Sequence, residues 1–169
     1  MSDFKKLINA KALYQEPERI WVAKGMKFFA IDYQGKRISK VYYVGGLKDR
    51  VLSCHRLSSQ LLRIGLHHLL PLKNGNILVT AKRKTYILNP DGKVINIFQG
   101  YQGNKPGHQG VCVTPDGTIF FAEYLLNPKR DHEISLWRST DNGMSFQVVK
   151  TWPKGNIRHL HFVKWDEYE

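Results

Sequence analysis

The stretch Ile77-Leu-Val-Thr-Ala-Lys-Arg-Lys-Thr-Tyr-Ile-Leu-Asn-Pro-Asp-Gly92 reads as strand, tight turn, strand, turn. Its short runs are rich in β-branched and aromatic residues, which suit a pleated, half-buried surface, and its glycine supplies the positive φ needed where strands reverse. The stretch Ile20-Trp-Val-Ala-Lys-Gly-Met-Lys-Phe-Phe-Ala-Ile-Asp-Tyr-Gln-Gly35 aligns with it. A further strand follows each, at Arg37–Val44 and Val94–Phe98. In this alignment Lys82-Arg83-Lys84 is a strand-connecting turn rather than a basic recognition patch.

A third copy keeps the grammar with a longer middle loop: Val111–Thr114, the turn Pro115-Asp116-Gly117, Thr118–Tyr124, a polar excursion over Asn127–Glu133, Ile134–Arg138 and Phe146–Trp152. Leu69–Leu72 and the turn Asn74-Gly75 supply the first strand of the second copy. Residues 67–100 and 109–152 are therefore two complete four-stranded units, 19–44 a partial one with three strands, and 157–165 the first strand of a further one. Repeats of roughly 40 to 50 residues, each a four-stranded meander, mark a β-propeller, in which radial packing covers the two apolar faces that a lone meander exposes. A β-sandwich is the architectural alternative.

The expected fold is thus all-β, a single partial β-propeller domain of about three blades. Closed propellers have about 4–8 blades, so the ring is incomplete unless missing sequence or another chain completes it. The chain ends at Trp165-Asp-Glu-Tyr-Glu169, where the other copies enter their first turn, which favours a fragment over ring closure between chains.

Within the third copy, Ser139-Thr-Asp141-Asn-Gly143-Met-Ser-Phe146 resembles the Asp-box, Ser-x-Asp-x-Gly-x-x-(Trp/Phe), of the sialidase-like Asp-box (BNR) repeat β-propeller superfamily. The resemblance implies a structural turn between the third and fourth strands of a blade: Ser139 and Asp141 satisfy turn amides, Gly143 takes a conformation side chains disfavour, and Phe146 anchors the next strand. It identifies the fold better than the activity. The arginine cluster, activated Tyr and separate acid that a sialidase needs cannot be assembled, since Arg56, Arg63 and Arg138 stand singly.

The first strand of a propeller blade lines the central channel, the usual ligand site, and here those strand starts are histidine-rich. His67 and His68 precede the second blade, His108 the third, and His159 and His161 flank the last visible strand. Neutral imidazoles could hold a divalent metal or act as a base; His159 and His161, two apart on a strand, face one side, as paired ligands must. The competing reading is that they bond backbone groups in the channel wall. His108, His159, His161 and Glu123 are the catalytic candidates, His108, His159 and His161 the metal candidates, and His68, Tyr124 and Arg63 the ligand-binding ones. Glu123 lies near the channel mouth, to bind a sugar hydroxyl or metal, or simply to cap a loop, and Asn127–Glu133 is a candidate substrate rim or ordinary surface. Residues Asp49–Gly65 fit no blade and read as a helix or an extra strand pair.

The net charge of +12 is uneven: residues 1–100 hold 18 Lys/Arg against 6 Asp/Glu, and residues 101–169 hold 8 against 8. Such a field draws anionic ligands without naming one, and is otherwise a solvated basic surface. Basic residues are not interleaved with stacking aromatics, which argues against nucleic acid. No stretch approaches the roughly 18 apolar residues of a membrane helix, and Met1 to Leu13 lacks a secretory core, so a soluble, cytoplasmic protein is expected. Cys54 and Cys112 show neither disulfide nor zinc spacing. The sequence points to a propeller that binds or processes a carbohydrate, an acidic one included, in its channel, with a hydrolase or lyase the enzymatic form. A non-catalytic protein or glycan interaction module is the alternative.

Overall fold

The computed structural model of the chain describes residues 10–54, 61, 64–103, 106–107, 109–166 and 168. Three four-stranded antiparallel sheets follow one another along the chain, in two compact units, residues 1–69 and 70–169. The first sheet has the order β1 (Lys11–Glu16), β2 (Arg19–Lys24), β3 (Lys27–Ile31) and β4 (Tyr42–Tyr43), and a short helix, α1 (Leu47–Leu52), follows it. The second runs β5 (Leu66–Pro71), β6 (Ile77–Ala81), β7 (Lys84–Leu88), β8 (Val94–Phe98). The third runs β9 (Val111–Val113), β10 (Ile119–Ala122), β11 (Ile134–Ser139), β12 (Gln147–Trp152). No helix among the described residues is long and apolar enough to cross a membrane.

The first sheet is complete, where the sequence led us to expect three strands. Strand β1 carries no apolar alternation because most of it is exposed, and its register slips between Ala12 and Tyr14. Polar chemistry holds it instead: the Glu16 carboxylate at its end accepts the Arg19 guanidinium and, at 2.7 Å, the Trp21 indole N–H. The Arg19 hydrogen bond is the main reason the Glu16 carboxyl sits below its ordinary pKa. Trp21 then packs with Phe28 and Tyr42, the last two stacked at 5.0 Å. At the other margin, the expected strand Arg37–Val44 contracts to Tyr42–Tyr43, with a lone bridge between Ile31 and Arg37. Ile157–Trp165, expected as a regular strand, makes only a parallel bridge between Phe162 and Gln109, since a strand exists only where a partner continues the ladder.

The middle strands of the second sheet carry continuous apolar runs because both their faces are covered: every residue of β6 and all but Lys84 of β7 are buried. Their hairpin turns at Lys82 (φ 47°) and Arg83 (φ 63°), two left-handed residues in place of the usual Asn-Gly. Within residues 70–169 the second and third sheets share a core in which Leu72, Leu78, Ile87 and Ile119 meet Leu70, Val111, Val113 and Phe146.

The third-to-fourth strand turn is built alike in all three sheets. Asp32 Oδ1 accepts the Lys36 amide at 2.8 Å, Asn89 Oδ1 the Lys93 amide at 2.9 Å, and Asp141 Oδ1 the Ser145 amide at 2.9 Å. In the third sheet the turn is reinforced, as Ser139 Oγ donates to Asp141 Oδ1 (2.8 Å), accepts the Gly143 amide (2.9 Å), and Ser145 Oγ donates to Asp141 Oδ2 (2.6 Å). Desolvation alone would raise the Asp141 carboxyl, but the Ser145 hydroxyl and amide and the Ser139 hydroxyl together hold it at about 2. Asp116 is likewise held at about 2, first by the Thr114 hydroxyl and then by the Thr118 amide and hydroxyl.

Both folded values lie below the ordinary aspartate value, so their contribution to stability is complete above about pH 4 and is lost as pH falls toward 2. For the exposed Asp141, screening by solvent limits it to about 1 kcal/mol. Urea unfolding of the wild type and of Asp141→Asn at pH 6 and pH 3 is expected to show the gap between them narrowing at the lower pH.

Candidate functional site

After β10 the chain leaves the third sheet through Glu123 and Tyr124, and the C-terminal segment returns beside it. The Leu160 amide donates to the Glu123 carbonyl at 3.2 Å, and the Val163 amide to the Gln109 carbonyl at 2.9 Å. These bonds place His159 and His161, two residues apart in extended chain, on the side facing Tyr124. The Tyr124 and His159 rings lie 4.3 Å apart and the Tyr124 and His161 rings 5.8 Å apart. The two imidazoles come within 3.1 Å, Nε2 to Nε2.

Tyr124 and His159 are half-buried and His161 is exposed, so the cluster meets solvent on one side. Burial lowers the pKa of His159, the proximity of His161 lowers it further, the Leu125 backbone works the other way, and Arg158 adds a smaller downward push. The lowered basicity favours the neutral form of the His159 ring, whose Nε2 lies within hydrogen-bond reach of the His161 Nε2.

Glu123 lies beneath this surface, only 1 % exposed. Its Oε1 accepts the Gln102 amide at 3.1 Å and the Trp137 indole N–H at 3.0 Å, and its Oε2 accepts the Ser135 amide at 2.8 Å. That set ties the connection between the second and third sheets to β11, and engages both carboxylate oxygens. The carboxylate thus accepts from the connecting segment at Gln102 and from β11 at Ser135 and Trp137.

The expected site residues are distributed unevenly. His159, His161 and Tyr124 come together, with Glu123 adjacent in sequence but turned inward. His67 and His68 lie on β5. His108, Arg56 and Arg63 fall outside the described residues. Among those described, no group of three or more His, Cys, Asp or Glu side chains could hold a metal ion. The Asn127–Glu133 loop is pinned by buried Asn127, which donates to the His132 carbonyl at 3.0 Å and accepts the His132 amide at 3.3 Å. Sequence reasoning did not find the contact of the Ser139–Phe146 turn with the second sheet: Asn96 Nδ2 donates to the Gly143 and Met144 carbonyls at 2.7 and 2.8 Å, and Phe146 stacks on Phe98 at 4.4 Å.

Comparison with solved structures places this geometry. A protein of unknown function from Bacteroides caccae superposes with a TM-score of 0.53 at 14% identity, over 88% of this chain and 47% of that one. The Pan2 WD40 domain of Neurospora crassa superposes with a TM-score of 0.51 at 15% identity, over 97% of this chain and 44% of that one. The chain carries three propeller blades. Drosophila Plexin A, solved in complex with Semaphorin 1b, matches more weakly, with a TM-score of 0.47 at 15% identity over 77% of this chain and 27% of that one. The blades span about half the length of the first of these structures. No family profile matches the chain, and no curated protein is detectably similar to it.

Proposed function

We propose that these propeller blades form a binding module related to the sialidase-like Asp-box propellers, and that the Tyr124, His159 and His161 surface takes a carbohydrate. The observation that carries the reading is one phenol and two imidazoles converging within 5.8 Å on a solvent-facing surface. Aromatic bodies with polar tips suit a sugar, whose ring has an apolar face and a rim of hydroxyls. The relation to Asp-box propellers is supported by the Ser139, Asp141, Gly143 and Phe146 turn, in which each of the four residues has the part the motif requires. Binding is favoured over catalysis because the Glu123 oxygens already serve three N–H donors.

A second reading rests on the Nε2 pair alone. At 3.1 Å apart, two imidazole nitrogens can share one divalent transition metal, with water or a sugar carboxylate filling its other positions. His108, outside the described residues, is the candidate third ligand.

One titration series tests both. Saturable shifts of the His159 and His161 imidazole resonances on adding an oligouronate to metal-free protein, with calorimetric binding of the same oligouronate lost in His159→Ala/His161→Ala, are the expected result. The same shifts only when Zn²⁺ is also present would favour the metal reading. No response to either would remove this surface from the function.

A further inference from the structure

The first sheet contains a second place with ligand chemistry, remote in sequence from the histidines. A pocket of about 360 Å³ opens beside the β2–β3 hairpin, within the usual size range for small-molecule sites. Its charged lining side chains are Lys24, Lys27 and Arg50, and no carboxylate lines it among the described residues. Tyr43, Met26 and Ser53 supply the remaining wall that matters here.

The local fold forces these cations together. Gly25 (φ 62°) and Met26 make a two-residue turn that sets Lys24 directly opposite Lys27 across the strands. Like charges directly opposed on a sheet are destabilising, and neither ammonium has an ion pair among the described residues. Arg50 is held at the same place from the other side: its Nε donates to the Gly45 carbonyl at 3.2 Å and its guanidinium lies 5.1 Å over the Tyr43 ring. Ser53 locks the two halves, accepting the Met26 amide at 3.1 Å while donating to the Arg50 carbonyl at 2.9 Å. Two opposed lysines and a braced guanidinium around a concave space make a site whose like-charge repulsion an anion relieves.

We propose that this pocket binds a small soluble phosphomonoester. A phosphomonoester carries about −1.5 to −2 charges with three strong acceptor oxygens, which suits three cationic donors better than a single carboxylate does. The space exceeds a bare phosphate, so the organic part rests against the exposed Tyr43 ring. The basic excess over residues 1–100 draws such ligands inward. This site is independent of the carbohydrate surface, and either stands if the other fails.

The test is calorimetric titration of the full chain with glucose 6-phosphate, with glucose and inorganic phosphate as controls. One-to-one saturable binding of glucose 6-phosphate, weaker for phosphate and absent for glucose, is expected. Lys24→Gln/Lys27→Gln and Arg50→Gln should each weaken it by about tenfold or more, the lysine pair without lowering Tm in the absence of ligand. Lys82→Gln/Arg83→Gln, which removes the same charge from another hairpin, should leave it unchanged. The proposal is overturned if glucose 6-phosphate does not bind, or if the distant pair weakens binding as much as the pocket variants. Displacement by heparin with no saturable glucose 6-phosphate binding would likewise overturn it, leaving only a nonspecific polyanion surface.

Discussion

Glu123→Ala is expected to destabilise the protein by about 3–5 kcal/mol, more than the loss of any other single side chain in the third blade's turns and loops. The carboxylate is buried and accepts hydrogen bonds from the amides of Gln102 and Ser135 and the indole of Trp137. Alanine would strand all three donors, and the space left cannot supply acceptors to each. Glu123→Gln separates this role from a chemical one. The amide keeps the shape but points its NH₂ at a donor, so it should still lose about 1–3 kcal/mol. Urea unfolding measures both, and a Glu123→Gln protein as stable as the wild type would show that the carboxylate does not brace the third blade.

The second large effect belongs to Gly143. Its φ is +83°, a region where a side chain costs about 1–2 kcal/mol, and an added Cβ would lie 2.9 Å from Ile87 Cγ1 and closer still to Ile87 Cδ1. Ile87 has no exposed surface, and Leu78 and Ile119 share its core. Gly143→Ala is therefore expected to cost about 2–4 kcal/mol, from backbone strain and overpacking together. A double-mutant cycle with Ile87→Val separates the two in part, because deleting Cδ1 removes the closer of the two clashes but leaves the backbone strained. A coupling energy near zero in that cycle would mean that the turn does not press on its neighbour.

These residues also show how much of the molecule was legible beforehand. The meanders of the second and third blades were readable because central strands are apolar on both faces and glycine marks their turns. Strand β1 was not, since it is mostly exposed and joined to β2 through Glu16, Arg19 and Trp21 rather than through a hydrophobic stripe. The kinship of the three blade turns was half visible. The Ser-x-Asp-x-Gly pattern singles out one copy, yet Asp32, Asn89 and Asp141 each cap the amide four residues on. The glycine sits three residues after Asp32 and Asn89 but two after Asp141, which hides the equivalence from any alignment on glycine.

The candidate sites divide in the same way. His159 and His161 are two apart, and that spacing alone puts them on one side of an extended chain. Tyr124 joins them because the returning segment bonds to the carbonyl of Glu123, a pairing between residues 37 apart that no local pattern encodes. The cation pocket was less visible still. Lys24 and Lys27 are ordinary hairpin residues in sequence, and Arg50 belongs to a stretch that matched no blade.

What the sequence determined by itself was the class of fold, since the alternation of apolar runs with turn residues is local and survives without knowledge of any partner. What only the tertiary structure decided was which polar groups meet: the three donors on Glu123, the imidazole couple beside Tyr124, and the opposed lysines facing Arg50. An apolar run declares its tendency to be buried through its own chemistry, whereas a hydrogen bond or a charge cluster depends on the position of a second residue far along the chain, which only the folded path supplies.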